Sequence, residues 1–153
     1  MQVFRLSQES FSHDLSGRGA AIKGARWNSI GIELIYTASN RSLAMAEVVV
    51  HFGLSTIPDN YMMISIEIPN DIKKNVISPK DLPNDWNIFP HSASTQAVGD
   101  RFVKENKYCL LEIPSVVVQG DHNILINPKH KDFHRIAISS VEQFTFDKRL
   151  FQA

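Results

Sequence analysis

The pattern of hydrophobic and polar positions predicts many short strands. Eight segments qualify, because β-branched, aromatic or other apolar residues dominate them and turn residues bound them. They cover residues 3–6, 33–37, 61–68, 75–78, 109–113, 116–118, 124–126 and 135–138. The best candidate for a central strand is 61–68, which ends at Pro69.

Two segments have the apolar periodicity of helices. The first covers residues 42–52, and Gly53 is predicted to stop it. The candidates for its cap are Ser39, Asn40 and Ser42. The second covers residues 94–106, with Ser94 as its predicted cap. The segment punctuated by Gly17, Gly19, Gly24 and Gly31 carries few helix signals, and 81–90 is predicted as a structured loop.

The order of these elements predicts an α+β fold. Strands outnumber helices, and the chain lacks the regular strand–helix alternation of a doubly wound sheet. We therefore expect a mixed or antiparallel split sheet with a few helices. A chain of 153 residues is expected to form one domain, residues 1–153.

Composition narrows the function classes. The 16 Lys and Arg residues balance 16 Asp and Glu residues, which disfavours direct binding of nucleic acid. No apolar stretch is long enough for a membrane span, and the first residues do not resemble a signal peptide, so we expect a cytoplasmic protein. The single cysteine, Cys109, lies in an apolar run and is predicted to be a buried structural residue.

Residues Gly24 to Asn28, in the order Gly-Ala-Arg-Trp-Asn, are the most informative short segment. Small residues beside Arg26 would let the backbone approach a ligand, and a guanidinium fits phosphate oxygens. These five residues alone nevertheless favour an ordinary tight turn, with a surface Arg26 packed on Trp27.

Tyr36 and Glu47 are candidates for a cleft between a strand end and the next helix. An aromatic ring there would stack on a flat ligand, and a carboxylate would stabilise positive charge on an opening sugar. Glu47 lies in an otherwise apolar helix, where an isolated charge needs a partner or a function. A solvated helix face explains Glu47 equally well.

Two further segments have weaker chemical interpretations. Ser115 follows Pro114 at a strand break, and Asn123 precedes an apolar strand. Either could bind a ligand, although an ordinary turn explains both. His122, His130 and His134 lie near one another in sequence, but no cysteine or suitably placed carboxylate completes a metal site, so none is expected.

Taken in order along nearly the whole chain, these segments resemble the RES domain, which is named for an Arg, a Glu and a Ser. The resemblance includes the segments 24–28, 35–38, 42–47, 95–100, 113–115 and 127–130. It implies an ADP-ribosyltransferase-like fold that holds NAD+ in a cleft of a split sheet. One departure is Ala25, where family members usually carry a second glycine.

The resemblance also implies roles for individual residues. Arg26 would contact the pyrophosphate, Tyr36 would lie near nicotinamide, and Glu47 would be the catalytic carboxylate. Ser115 matches the family's serine, as a ligand or as a hydrogen-bonding partner of one. Arg5 and Asn123 are weaker candidates for lining the same pocket.

The implied reaction is cleavage of the nicotinamide–ribose bond of NAD+, which is a substrate, with no prosthetic group. The acceptor stays open: water makes a glycohydrolase, phosphate a phosphorylase, and a protein side chain an ADP-ribosyltransferase. A non-catalytic module that binds an antitoxin remains an alternative, and an RNA-cleaving toxin is disfavoured by the neutral charge. The resemblance also implies a toxin of a type II toxin–antitoxin system, whose partners would be an Xre-type antitoxin and a second copy of the chain.

Overall fold

A computed structural model describes residues 1–52 and 58–151. Its strands are β1 Gln2–Gln8, β2 Ile35–Ala38, β3 Tyr61–Glu67, β4 Lys74–Val76, β5 Leu110–Pro114, β6 His122–Ile126 and β7 Ala137–Phe144. Its α-helices are α1 Arg18–Lys23, α2 Arg41–Val49 and α3 Ala93–Glu105. Short 3₁₀ turns lie at Glu9–Phe11, Pro79–Asp81, Phe133–Arg135 and Lys148–Phe151.

The strands form one seven-stranded sheet in the order β4-β5-β6-β2-β1-β3-β7. Every neighbouring pair is antiparallel except β4 and β5, which are parallel. The two halves of the sheet meet where β1 pairs with β2 through a single registered pair, Phe4 with Ala38. The predicted α+β fold with a mixed sheet is therefore confirmed.

The two faces of the sheet bury different cores, because successive side chains of a strand point to opposite sides. One face packs an aliphatic cluster that includes Val3, Ile35 and Ile64. On the other face, Leu111 and Leu125 pack with Phe102 of α3, in a second cluster. A third cluster joins Leu6 and Ala38 to Leu43 of α2. Helices α2 and α3 therefore cover the same face of the sheet.

Asn40 caps α2, as one of the predicted alternatives. Its Oδ1 accepts a hydrogen bond from the Leu43 N–H at 2.8 Å, which satisfies one of the free donors at a helix start. The helix ends at Val49, and Gly53, the predicted stop, lies outside the described residues. Leu43 and Ala44 are buried on the side of α2 that faces the sheet. The helix therefore packs tightly on the sheet, next to the strand that carries Tyr36.

Several local predictions are wrong. Residues 116–118 form no strand, because the Ser115 hydroxyl accepts hydrogen bonds from the backbone N–H groups of Val117 and Val118 and turns the chain there. The glycine-punctuated segment contains the short helix α1. Ser94 does not cap α3; the cap position is Ser92, and the Ser94 hydroxyl donates to Asp85 at 2.6 Å.

The last strand is longer than predicted. The apolar pattern indicated residues 135–138, whereas β7 runs from Ala137 to Phe144 and pairs along the whole of β3. Arg135 belongs to the preceding 3₁₀ turn. Because β7 is an edge strand with polar residues at many positions, its pairing with β3, and not its own periodicity, defines it.

Candidate active site

Tyr36, Asn123 and Ser115 lie along one line of the sheet. Ala38 pairs with Asn123, and Asn123 pairs with Ile113 in β5. Tyr36 is two residues from Ala38, and Ser115 is two residues from Ile113. Directly paired residues and residues two apart share a face, so these side chains lie on the face that α2 and α3 cover.

Arg26 lies in a tight loop beside this face. Ala25 and Asn28 form an isolated antiparallel bridge, with the Ala25 N–H donating to the Asn28 carbonyl at 3.0 Å. The Arg26 guanidinium is directed to the loop around residue 87, where its Nη1 donates to the carbonyls of Trp86 at 2.8 Å and Ile88 at 2.9 Å. One nitrogen of the fork thus anchors the side chain in place.

The charges of Arg26 and Glu47 act on one another. Burial lowers the pKa of Arg26 from its ordinary value, and the negative charge of Glu47, followed by Tyr36, opposes that shift. Arg26 remains a cation at neutral pH, since an arginine pKa is far above 7.

Helix α3 holds the Arg26 loop from the other side. Gln96 donates from Nε2 to the carbonyls of Ala25 at 3.1 Å and Asn28 at 3.2 Å. The Asp100 carboxylate accepts the Ser29 N–H at 2.9 Å. Gly99 leaves room for the loop, because a Cβ at this position would stand 1.7 Å from the Trp27 carbonyl oxygen. Segment 95–100 is part of the family resemblance, and in the structure it supports the Arg26 loop.

Glu47 is held by Ser115. Glu47 lies three and four residues after Ala44 and Leu43, on the buried side of α2. The Ser115 hydroxyl accepts from the Val117 and Val118 N–H groups, both at 3.1 Å, and contacts Glu47 Oε1 at 3.1 Å. A hydroxyl has one proton and two lone pairs, so its proton is donated to Glu47. Ser115 is itself 4% exposed and Glu47 is half-buried, so this hydrogen bond is partly shielded from solvent.

Asn123 and Arg5, the two weaker candidates, differ in position. Asn123 is half-buried between Tyr36 and Ser115, and its Nδ2 reaches the Thr37 carbonyl at 3.5 Å. Arg5 follows Phe4, whose partner is Ala38, so Arg5 points to the opposite face of the sheet. Its Nη1 donates to the Asp14 carbonyl at 2.9 Å. The structure groups Asn123 with the other candidates and does not group Arg5 with them.

Ala25 needs no unusual backbone. In the described part of the chain, the non-glycine residues with positive φ are Asn60 and Asn106. Ala25 therefore has an ordinary conformation, and its methyl group is accommodated in the loop. Gly24, by contrast, has a φ of +68°, a region that favours glycine.

Other features lie away from this cluster. Cys109 is 1% exposed, and burial raises the pKa of its thiol to about 12; it is the buried residue that was predicted. Within residues 1–52 and 58–151, no three His, Cys, Asp or Glu side chains form a group that could hold a metal ion. No helix in those ranges is long and apolar enough to cross a membrane.

Comparison with known proteins decides the family. The model of the RES domain matches residues 2–147. The chain belongs to the RES domain family. Among the residues to which the resemblance assigns roles, Ser115 and Glu47 are in direct contact.

Two similar RES-family proteins have curated names. The chain is 36% identical over 141 residues to the Prs ADP-ribosylating toxin of Sphingobium sp. strain YBL2, covering 91% of this chain and 88% of that protein. It is 33% identical over 156 residues to Toxin Res of Photorhabdus laumondii, covering 100% of this chain and 99% of that protein.

A solved structure shares the fold. A chain in the crystal structure of the M. tuberculosis MbcT–MbcA toxin–antitoxin complex superimposes with a TM-score of 0.75 at 19% sequence identity. The match covers 98% of this RES domain and 86% of that chain. At this identity the likeness shows the fold.

The sequence alone did not identify the residues that hold the site together. The Arg26 loop is contacted by three residues of α3, Gln96, Gly99 and Asp100. Within the loop, Asn28 bonds to Tyr36. The sequence offered one signal for these residues, which is that segments 24–28 and 95–100 both belong to the family resemblance. Their contact is long-range, so local periodicity could not reveal it.

Proposed function

We propose that this RES domain is a toxin-type enzyme that cleaves the nicotinamide–ribose bond of NAD+. The observation that carries the proposal is the hydrogen bond that the Glu47 carboxylate accepts from the Ser115 hydroxyl, on the sheet face that also carries Tyr36. The names of the relatives, an ADP-ribosylating toxin and Toxin Res, support this assignment.

Arg26 binds the pyrophosphate of NAD+ in this proposal. Its Nη1 is engaged by the carbonyls of Trp86 and Ile88, and its remaining N–H groups have no protein acceptor among the described residues. A guanidinium anchored through one nitrogen presents its other donors in a fixed direction, which suits phosphate oxygens. The ribose is thereby held in a defined position.

Glu47 acts on the nicotinamide ribose. The C1″–N bond of the nicotinamide ribose breaks with its electron pair going to the nicotinamide nitrogen, which neutralises the pyridinium and leaves positive charge on the ribose. A carboxylate fixed before the reaction stabilises that charge without reorganising. Ser115 supports this role because its hydroxyl donates to Glu47 Oε1 and so holds the carboxylate in one orientation.

Tyr36 supplies an aromatic surface. Burial raises the pKa of Tyr36 well above its ordinary value, so the ring carries no negative charge at neutral pH. Its hydroxyl is already bonded to Trp27 N–H and to Asn28 Oδ1. The ring is therefore the part of Tyr36 that is offered to nicotinamide.

The test is nicotinamide release from NAD+ by the purified chain without a partner. We expect release, and the product formed with and without phosphate identifies the acceptor: ADP-ribose from water, or ADP-ribose 1″-phosphate from phosphate. A folded, partner-free chain that releases no nicotinamide under any of these conditions contradicts the proposal.

Transfer of ADP-ribose to a protein is the second candidate. It is favoured by the name of the Sphingobium relative, an ADP-ribosylating toxin. Cleavage of the same bond comes first in both cases, and the nucleophile that then attacks C1″ loses a proton. Radiolabelled NAD+ incubated with a cell lysate distinguishes them, because transfer leaves the label on a protein and degradation leaves it on a small molecule.

An antitoxin of the Xre type is the proposed protein partner. A chain of similar fold occurs in a toxin–antitoxin complex. Co-expression with the gene that neighbours this one should restore growth to cells that this chain arrests, and the two proteins should copurify. A neighbour that neither binds the chain nor restores growth contradicts this partner.

A further inference from the structure

Asn28 makes more polar contacts than any other residue of the Arg26 loop, and it is 0% exposed. Its Nδ2, which has two hydrogens, lies within hydrogen-bonding distance of three carbonyls, those of Ala20 at 2.9 Å, Ser29 at 3.1 Å and Ile32 at 3.1 Å, so two of them share one hydrogen. Its backbone carbonyl accepts from Ala25 N–H and from Gln96. The side chain therefore ties α1 to the chain that follows the loop.

Asn28 also contacts the proposed substrate surface. The Tyr36 hydroxyl donates to Asn28 Oδ1 at 2.7 Å and accepts the Trp27 N–H at 3.1 Å. Both bonds join β2, which carries Tyr36, to residues next to Arg26 in the chain. The hydroxyl proton is committed to Asn28, so it is not available to a substrate.

We propose that Asn28 is a positioning residue, which sets the Arg26 guanidinium and the Tyr36 ring at a fixed separation around one substrate. This inference rests on the proposed cleavage of NAD+. Asn28 touches no substrate atom in this account. It acts through the Tyr36 hydroxyl and through the loop backbone, and a displacement of about 1 Å in such a framework costs roughly 10²-fold in rate.

The chain supplies a matched control for this role. Asn127 is also 0% exposed, and its side chain is also hydrogen-bonded. Its Nδ2 donates to Asn106 Oδ1 at 2.9 Å, and its Oδ1 accepts from the Lys129 N–H at 3.0 Å. None of these bonds involves Arg26, Tyr36 or Glu47. Replacing each asparagine by aspartate keeps its shape and removes its N–H donors.

The experiment compares Asn28→Asp and Asn127→Asp at equal concentrations of folded protein. We expect kcat/KM for NAD+ to fall about tenfold or more in Asn28→Asp, mainly through KM, because Arg26 is displaced from the pyrophosphate. Asn127→Asp should keep the wild-type kcat and KM once corrected for folded fraction. Equal losses in the two variants, or wild-type constants in a folded Asn28→Asp, overturn the proposal.

A second readout does not depend on activity. Amide hydrogen exchange of residues 24–32 should accelerate in Asn28→Asp and stay slow in Asn127→Asp. Tyr36→Phe, which keeps Asn28 and the ring, should accelerate exchange at the Trp27 amide, and it replaces Asn28→Asp if that variant does not fold. Unchanged exchange overturns the positioning role, and this readout decides it even if the wild-type chain releases no nicotinamide.

Discussion

The hydrogen bond from the Ser115 hydroxyl fixes the orientation of the Glu47 carboxylate. Because two backbone N–H groups occupy the lone pairs of the Ser115 oxygen, its proton has one direction left, toward Glu47 Oε1. This arrangement orients the carboxylate before substrate arrives. The family resemblance placed Ser115 near the ligand or one hydrogen bond from it, and the structure shows the contact with Glu47.

Replacing Ser115 by alanine should affect both stability and activity. The change leaves two partly buried N–H groups and one carboxylate oxygen without a protein partner, which costs about 1–3 kcal/mol. We expect a lower free energy of unfolding in urea and a lower kcat. Ser139→Ala, which removes a hydroxyl that donates to the Ser65 carbonyl in another part of the sheet, should leave kcat unchanged. A wild-type kcat in Ser115→Ala would count against the orienting role.

Arg26→Lys tests whether the planar fork matters. An ammonium cannot bond the carbonyls of Trp86 and Ile88 and still present a flat donor edge to a pyrophosphate. We expect kcat/KM for NAD+ to fall by roughly 10²-fold, with a melting temperature close to that of the wild type. Arg101→Lys, at an exposed position of α3, is the control. Equal kinetics in Arg26→Lys and wild type would exclude a bidentate contact.

The Cys109 thiol should be unreactive in the native protein. Burial raises its pKa to about 12, so the thiol stays protonated through pH 9, and a thiolate is the reactive form. Because the folded pKa is raised, its contribution to stability is present at neutral pH and declines as the pH rises through the ordinary thiol range toward 12. A disulfide reagent at pH 8 should modify Cys109 only after denaturant is added. Rapid labelling of the native chain would contradict its burial.

Among the secondary-structure elements, α3 has the clearest role, because it supports the Arg26 loop. Gln96, Gly99 and Asp100 lie on its side that faces residues 25–29. Local apolar periodicity was sufficient to predict α3, α2 and β3, although β3 lies next to the edge strand β7 and not at the centre of the sheet. It failed for residues 116–118, where a serine hydroxyl captures the backbone, and for β7, whose pairing with β3 determines its length. In both cases the contact that determines the structure cannot be read from the local apolar pattern.

Gly99→Ala tests the contact between α3 and the loop. The added Cβ would meet the Trp27 carbonyl oxygen at 1.7 Å, so helix and loop must separate. Overpacking of this kind costs about 1–3 kcal/mol or more, and Arg26 would move with the loop. Gly19→Ala, in α1 with no atom within 4 Å of the new Cβ, should be neutral or stabilising. Thermal melts and NAD+ kinetics of both variants check this, and a Gly99→Ala variant with wild-type stability contradicts the packing.

In the whole molecule, the candidate site lies on the sheet face that both major helices cover. Strand β2 carries Tyr36, α2 carries Glu47, the turn after β5 carries Ser115, and the loop held by α3 carries Arg26. Site residues as far apart in sequence as Arg26 and Ser115 therefore come to the same face only when the sheet is complete. The identity of these residues could be inferred from the family resemblance, whereas Asn28 and the anchoring carbonyls of residues 86 and 88 required the structure.

The most direct test of the account is nicotinamide release by Glu47→Gln. Glutamine keeps the size of the side chain and removes the charge that would stabilise the ribose, so we expect release roughly 10²–10³-fold slower than wild type at an unchanged melting temperature. Glu105→Gln, at an exposed position of α3, should match the wild type. A folded Glu47→Gln variant that releases nicotinamide at the wild-type rate would contradict the role of Glu47 and with it the proposed mechanism.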